Sequence, residues 1–174
     1  MKYNFLRFPD GKTKALTLSY DDGCRQDLRF SDIVTKYGLK CTFNVTGEKF
    51  RVPDYNLTNA EIKEFIIDRG HEVAIHNYNH RASGALRPIE GIREALDNRT
   101  ELEREFDMII RGMAYPDSGI IIFSNPDYTY EKVKNYLTEL DIAYARTLGQ
   151  DNDSFMLPED FHAWMPSAHH DNPN

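Results

Sequence analysis

Apolar positions along the 174-residue chain follow two rhythms. Short runs such as "KALTLSY" (14–20), "KCTFNV" (40–45) and "HEVAIH" (71–76) read as strands bounded by polar turns. Between them lie stretches with apolar residues three or four apart, the period of a helix face. In "RQDLRFSDIVTKYG" (25–38), Leu28, Val34 and Tyr37 share one side and Gly38 is a stop signal. "TNAE" (58–61) is a capping box, in which Thr58 accepts from the Glu61 amide and Glu61 reaches back. The helix it opens turns Ile62, Phe65 and Ile66 inward and ends at Gly70. A longer helix runs from Pro88 to about Phe106, with Ile89, Ile92 and Leu96 on its apolar side. "MIIRGMAYP" (108–116) is extended, and "EKVKNYLTEL" (131–140) is a helix that buries Val133, Tyr136, Leu137 and Leu140. "IAYART" (142–147), "SFMLP" (154–158) and "AWMPSAH" (163–169) are further short strands.

The repeated strand–helix order predicts an α/β domain with a parallel sheet. Such folds gather their chemistry at the carboxyl ends of the strands. Asp21 and Asp22 end the first strand, His76 the third, Tyr115 and Pro116 the fourth, and His169 and His170 the last. No repeat or linker interrupts the chain, and its length suits one domain with a single core, 1–174.

Composition narrows the partners. Hydrophobic residues make up 40% and charged residues 28%, as in an ordinary globular protein. The net charge is -7, which offers no attraction to nucleic acid or to an anionic membrane surface. No stretch approaches the ~20 apolar residues of a membrane span. "MKYNFLRFPDGK" has no signal-peptide core or cleavage site, so the chain reads as cytoplasmic. Cys24 and Cys41 have no disulfide or metal-site spacing and read as isolated thiols. Three glycosylation tripeptides, "NVT", "NLT" and "NRT", stand without other signs of a secretory route.

The candidate chemistry begins with "HNYNH", which sets His76 and His80 four apart. Neutral imidazoles suit zinc and its neighbours, and a catalytic metal site takes three protein ligands with one position open. Strand alternation turns His76 to the same side as Ala74, away from Val73 and Ile75. In "SYDDG" either Asp21 or Asp22 can supply the third ligand, the other acting as a general base toward water. Gly23 turns the backbone there, so both acids can reach one cavity. The competing reading is a solvated turn beside two hydrogen-bonded histidines. His169 or His170 can serve as a general acid, only one of them pointing inward from an extended segment. His71 and His162 read as structural.

These segments together resemble the polysaccharide deacetylase (NodB-homology) family, carbohydrate esterase family four. "LSYDDG" matches its aspartate-pair motif, "GHEVAIHNYNH" its histidine motif with Asn77 in the Ser/Thr place, and "CTFNV" its second strand. The resemblance covers about residues 14–171. It implies a distorted (β/α) barrel of about seven parallel strands, with relatives continuing into a further C-terminal helix. Asp22, His76 and His80 would hold one divalent metal (zinc first, with cobalt, nickel, manganese or iron also fitting), and Asp21 would be the base. The third motif departs from the family's R-x-P-Y: in "RGMAYPDSG" Arg111 lies five residues before Pro116, and Arg146 is its rival as the arginine that holds the base. The backbone amide of Asp117 would be the oxyanion donor, Tyr115, Pro116 and Trp164 would line the acetyl and sugar pocket, and "PSAHH" would supply the acid. The implied activity is removal of N-acetyl groups from an amino sugar or glycan. The alternatives are hydrolysis of a small cyclic amide or ureide, and a non-catalytic carbohydrate-binding protein on the same fold.

Overall fold

A computed structural model describes residues 7–121, 129–149 and 157–171. Within them five strands form one all-parallel sheet in chain order: β1 (Ser19–Asp21), β2 (Thr42–Val45), β3 (Glu72–Ile75), β4 (Gly112–Ala114) and β5 (Tyr144–Arg146). The connecting helices are α1 (Gln26–Lys36), α2 (Asn59–Ile62), which a wider π turn continues over Lys63–Ile67, α3 (Pro88–Phe106) and α4 (Tyr130–Glu139). Parallel strands in unbroken chain order, with crossovers of the right-handed kind that parallel connections take, keep the connecting helices on one face of the sheet. That is the topology of a barrel and not of a doubly wound sheet.

The curl of the sheet follows from a single contact. In a flat sheet β1 and β5 would lie about 19 Å apart, four spacings of ~4.8 Å. Yet Nε of Arg146 in β5 donates to Ser19 Oγ of β1 at 3.0 Å. The two edges have therefore swung toward each other, as in an open barrel.

Alternation along the strands divides the two faces. Phe43, Val45, Val73, Ile75, Met113 and Ala145 face the helices and form the hydrophobic core with Val34, Ile62, Ile66, Leu102, Val133 and Leu137. The paired registers put Ser19 and Asp21, Asn44, Ala74, Gly112 and Ala114, and Tyr144 and Arg146 on the concave side. That side is small or polar, which permits tight curvature and fills the interior with hydrogen-bonding groups. Gly112 is required there, because a Cβ would stand 2.3 Å from the Tyr144 hydroxyl that crosses the barrel floor.

Strand count is the main correction. Among the described residues five strands stand where about seven were expected in the chain. Residues 154–156 of one expected strand lie outside the described residues, and Leu157 and Pro158 are not extended into a ladder. The expected strand over 163–169 is instead a 3₁₀ turn at Phe161–Ala163, followed by a lone bridge from Trp164 to Arg146. Pro158 and Pro166 have no N–H to give a ladder. On α3 the expected apolar face forms only in part: Ile92 packs against the core, but Ile89 and Leu96 are 60% and 42% exposed. Gly91, Glu94, Ala95, Asn98 and Leu102 are buried in their place. Tyr37 after α1 is likewise exposed, while Asp27 and Ser31 are buried with Val34. The capping box at Thr58 and Glu61 forms as read, and α4 buries Val133, Tyr136 and Leu137. Among the described residues no helix is long and apolar enough to cross a membrane.

Candidate metal centre

The carboxyl ends of β1 and β3 bring Asp22, His76 and His80 together, each offering a ligand atom within 4.8 Å of the others. Asp22 Oδ1 lies 3.4 Å from His76 Nε2 and 3.1 Å from His80 Nε2. Donors around a tetrahedral ion with ligand bonds of ~2.0–2.1 Å are about 3.3 Å apart, so this separation suits one shared cation. His76 is 2% exposed, and its Nδ1 lies 2.8 Å from the carbonyl oxygen of Ala114. A carbonyl only accepts, so Nδ1 carries a proton, and Nε2 is the nitrogen turned toward Asp22. Hydrogen bonds from His76 and then His80 hold the Asp22 carboxyl well below the usual carboxylate range, and the same bond to Asp22 raises His80. An anionic oxygen flanked by two imidazole nitrogens is the donor set a divalent cation requires, and the residues fit the group.

Backbone geometry explains why both aspartates reach the cavity. Asp21 is the last residue of β1 and points to the concave side, while Asp22 has φ +72° and turns its side chain back toward the same mouth. Gly23 follows with φ +59°, a conformation that glycine adopts without a Cβ penalty. Asn56 Nδ2 donates to the Asp22 carbonyl at 2.8 Å and fixes this turn.

Asp21 sits beside the candidate ligands within a separate network. Its Oδ1 accepts from Arg146 Nη2 and, at 2.9 Å, from Asn44 Nδ2. Asn44 also donates to Ser19 Oγ at 2.8 Å. Arg146 thus occupies the place for which Arg111 was the rival. Arg111 precedes β4, at the amino end of the sheet and away from the site, where it pairs with Asp141 at 2.7 Å on the surface.

Other expected residues are placed differently. Tyr115 is fully buried and its hydroxyl donates to the His162 carbonyl at 2.8 Å, so it is part of the core and not a sugar platform. Pro116 is buried beside it. Asp117 follows at the mouth with φ +49°, its carboxylate 3.8 Å from His80 Nδ1 and its amide donating to nothing among the described residues. Trp164 is half-buried and packs edge-on against Tyr144 and Phe161. His169 and His170 do not join the site. His170 stacks on Tyr20 at 5.6 Å, and Tyr20 faces α1 through Phe30, on the side of β1 opposite Asp21. Both imidazoles are exposed, and among the acids of the described residues they lie within 4.0 Å of Asp171 alone. The expected inward placement is not found, because the proline-containing segment carries no strand that would aim a histidine inward.

Sequence reasoning passed over several residues. Asn44 is fully buried in β2, and asparagine in a strand interior was the available signal, since it is a poor strand former. Asn98 Oδ1 accepts from the His76 amide at 3.0 Å, and Glu94 accepts from Asn79. Phe50, 45% exposed, lies flat on the His80 ring at 5.6 Å with a 10° interplanar angle.

With this geometry in place, likenesses to known proteins gain meaning. The chain resembles the Streptococcus pyogenes deacetylase PplD, solved in complex with acetate, at 20% identity and TM-score 0.73 over 92% of this chain and 66% of that one. It resembles the chitin deacetylase of Colletotrichum lindemuthianum at 18% identity and TM-score 0.56, over 76% of this chain and 56% of that one. A CE4 family pseudoenzyme from Bacillus anthracis is similar at 17% identity and TM-score 0.57, over 76% of this chain and 43% of that one. The chain thus spans less than two thirds of each, and at these identities the likeness is one of fold. No curated protein matches the chain. The sequence pattern of the polysaccharide deacetylases matches residues 9–145, from the 3₁₀ turn before β1 into β5, and the chain belongs to the polysaccharide deacetylase family.

Proposed function

We propose that the protein is a metal-dependent hydrolase that removes the N-acetyl group from an amino sugar or an N-acetylated glycan. The observation that carries this reading is the adjacency of two aspartates in unlike settings: Asp22 against two imidazole nitrogens, and Asp21 against Arg146 and Asn44. One carboxylate is committed to a cation, and its neighbour is left for a proton.

A divalent ion held by Asp22, His76 and His80, with zinc the first choice for this donor set, supplies Lewis acidity toward water and the acetyl carbonyl. Asp21 takes the proton of the attacking water. Both donors to Asp21 contact Oδ1, which leaves Oδ2 for that proton and fixes the plane of the carboxylate. Arg146, only 14% exposed at its side chain, keeps Asp21 aimed into the mouth. The amide of Asp117 is the donor for the developing oxyanion. Cleavage of the C–N bond yields acetate and an amine, and the proton gathered by Asp21 is the one the departing nitrogen needs. The ring of Phe50 beside His80 offers an apolar face to a sugar. The net charge of -7 disfavours polyanionic substrates and suits a neutral acetylated glycan.

The test is Asp21→Asn on the metal-loaded protein, followed by acetate release from N-acetylglucosamine oligomers and by elemental analysis. Turnover should fall on the order of 10²–10⁴-fold with metal content unchanged. Metal lost in step with activity would contradict the division of labour between Asp21 and Asp22. Bound metal with no acetate release by the wild type on any acetylated sugar would replace this reading with a non-catalytic glycan binder.

A further inference from the structure

The segment Asn77–His80 that delivers a ligand to the centre is bracketed by two non-glycine residues in the left-handed region, Asn77 at φ +57° and His80 at φ +54°. Such a backbone costs energy and persists only where surrounding contacts over-determine it. Asn77 Nδ2 donates to the Arg81 carbonyl and Ser83 Oγ, and the Gly47 amide donates to the Tyr78 carbonyl, while the remaining ties come from one helix. On α3 the Glu94 carbonyl accepts from the Tyr78 amide at 3.0 Å. The Glu94 carboxylate accepts twice from Asn79, from its amide at 2.7 Å and from its Nδ2 at 2.9 Å. One turn on, Asn98 accepts from the His76 amide.

Glu94 is the unusual member of this set. It is a carboxylate 4% exposed on the buried face of a helix, and its nearest cation, Arg81 Nη1, is 3.9 Å away. Burying such a charge is costly unless hydrogen bonds satisfy it, and here the donors come from the residue immediately before His80. A helix that only needed to pack would bury an apolar side chain at that position, as Ala95 and Leu102 do nearby.

We propose that Glu94 is a positioning residue for the metal centre: by gripping both donors of Asn79 it sets where His80 Nε2 stands relative to Asp22 and His76. This rests on the metal reading above. An isosteric glutamine shows the logic. Glutamine replaces one acceptor oxygen with an NH2 and removes the charge, so Glu94→Gln preserves volume while losing the charge-assisted hydrogen bonds that make the grip.

The experiment compares Glu94→Gln with Glu101→Gln in the full chain. Glu101 lies on the same helix and accepts from the Tyr78 hydroxyl and the Glu48 amide, away from Asn79. Co(II) titrated into metal-free protein reports affinity, and the visible spectrum at saturation reports the ligand field. Loss of a partner that orients a ligand typically costs 10–100-fold in metal affinity. Glu94→Gln should therefore bind Co(II) at least ~10-fold more weakly, with an altered saturated spectrum. Glu101→Gln should stay within about threefold of wild type, with its spectrum unchanged. If Glu94→Gln does not fold, Asn79→Ala is read in its place: a severalfold loss of affinity supports the grip, and unchanged affinity overturns it. A Glu94→Gln protein with wild-type affinity and spectrum, whatever its melting temperature, overturns the proposal. A wild-type chain that binds no metal instead overturns the reading on which it rests.

Discussion

Two regions carry histidines suited to chemistry, and they differ in what holds them. His76 and His80 hang from the end of β3, with the backbone between them tied to α3 and the His76 ring fixed by a carbonyl. His169 and His170 follow a segment without a ladder and rest on one another, on Tyr20 and on Asp171, more than half exposed at their side chains. Side chains at a strand end inherit a direction from the sheet. Side chains after a proline-broken stretch take theirs from whatever surface is near. A histidine's chemical aptitude therefore counts only where the backbone aims it.

The largest effect expected from breaking the first region is at Asp22. Asp22→Ala removes the oxygen that both Nε2 atoms face, so metal content should fall from about one per chain to near zero. Acetate release should then drop by more than the ~10²–10⁴ of a single proton-transfer group. Elemental analysis with an acetate assay checks it. Arg146→Ala comes next. It leaves Asp21 half-buried without its main donor, at a cost of about 2–3 kcal/mol in denaturant unfolding and on the order of 10–100-fold in turnover. Arg111→Ala, an exposed pair with Asp141, should change stability by less than ~0.5 kcal/mol. Equal effects for the two arginines would erase the distinction drawn between them.

The same contrast explains what could be read from the sequence. The strand ends that carry the aspartate pair and His76 were legible because the carboxyl-end rule is a property of regular elements, while the ligand role of Asp22 came from the family resemblance. Parallel α/β order was legible for the same reason, and the capping box at Thr58 formed as read. The faces of α3 and α1 were not, because periodicity counts apolar positions and these helices bury Glu94, Asn98, Asp27 and Ser31 to serve polar partners. The choice of Arg146 over Arg111 needed the curl of the sheet, a global property that no local pattern encodes. The strand expected over 163–169 shrank to a single bridge at Trp164, because Pro166 has no N–H with which to continue a ladder.

Packing beneath the first region can be tested through Asp27 at the start of α1, 4% exposed with Oδ2 unpartnered. Burial is the main cause that pushes its carboxyl up to about 7, with the charges of Asp21 and Asp22 adding to it. An unfolded aspartate titrates near ~3.9, so between about pH 4 and pH 7 the folded chain holds a proton that the unfolded chain lacks. Stability from this group is therefore fully present below about pH 4 and is lost as pH rises through 7. An asparagine side chain in its place would mimic the neutral form at every pH. Asp27→Asn should be more stable than wild type by about 2–4 kcal/mol at pH 8, with the gap closing toward pH 4, in calorimetry of metal-free protein. A gap independent of pH would mean that water reaches the carboxyl.

The smallest effect is expected in the second region. His169→Gln with His170→Gln removes both tail imidazoles at once, so neither can substitute for the other. Glutamine keeps polarity and much of the reach, and neither side chain contacts Asp21 or the ligand set. Acetate release should stay within about threefold of wild type, and metal content should not move. A general acid that protonated the departing amine would instead be worth on the order of 10²–10⁴-fold. Its loss would also remove the limb of the pH–rate profile set by that imidazole, while leaving metal affinity intact. That result would mean that residues 165–171 swing from Tyr20 to the mouth during turnover, and that direction given by the sheet is not the only way this fold aims a histidine.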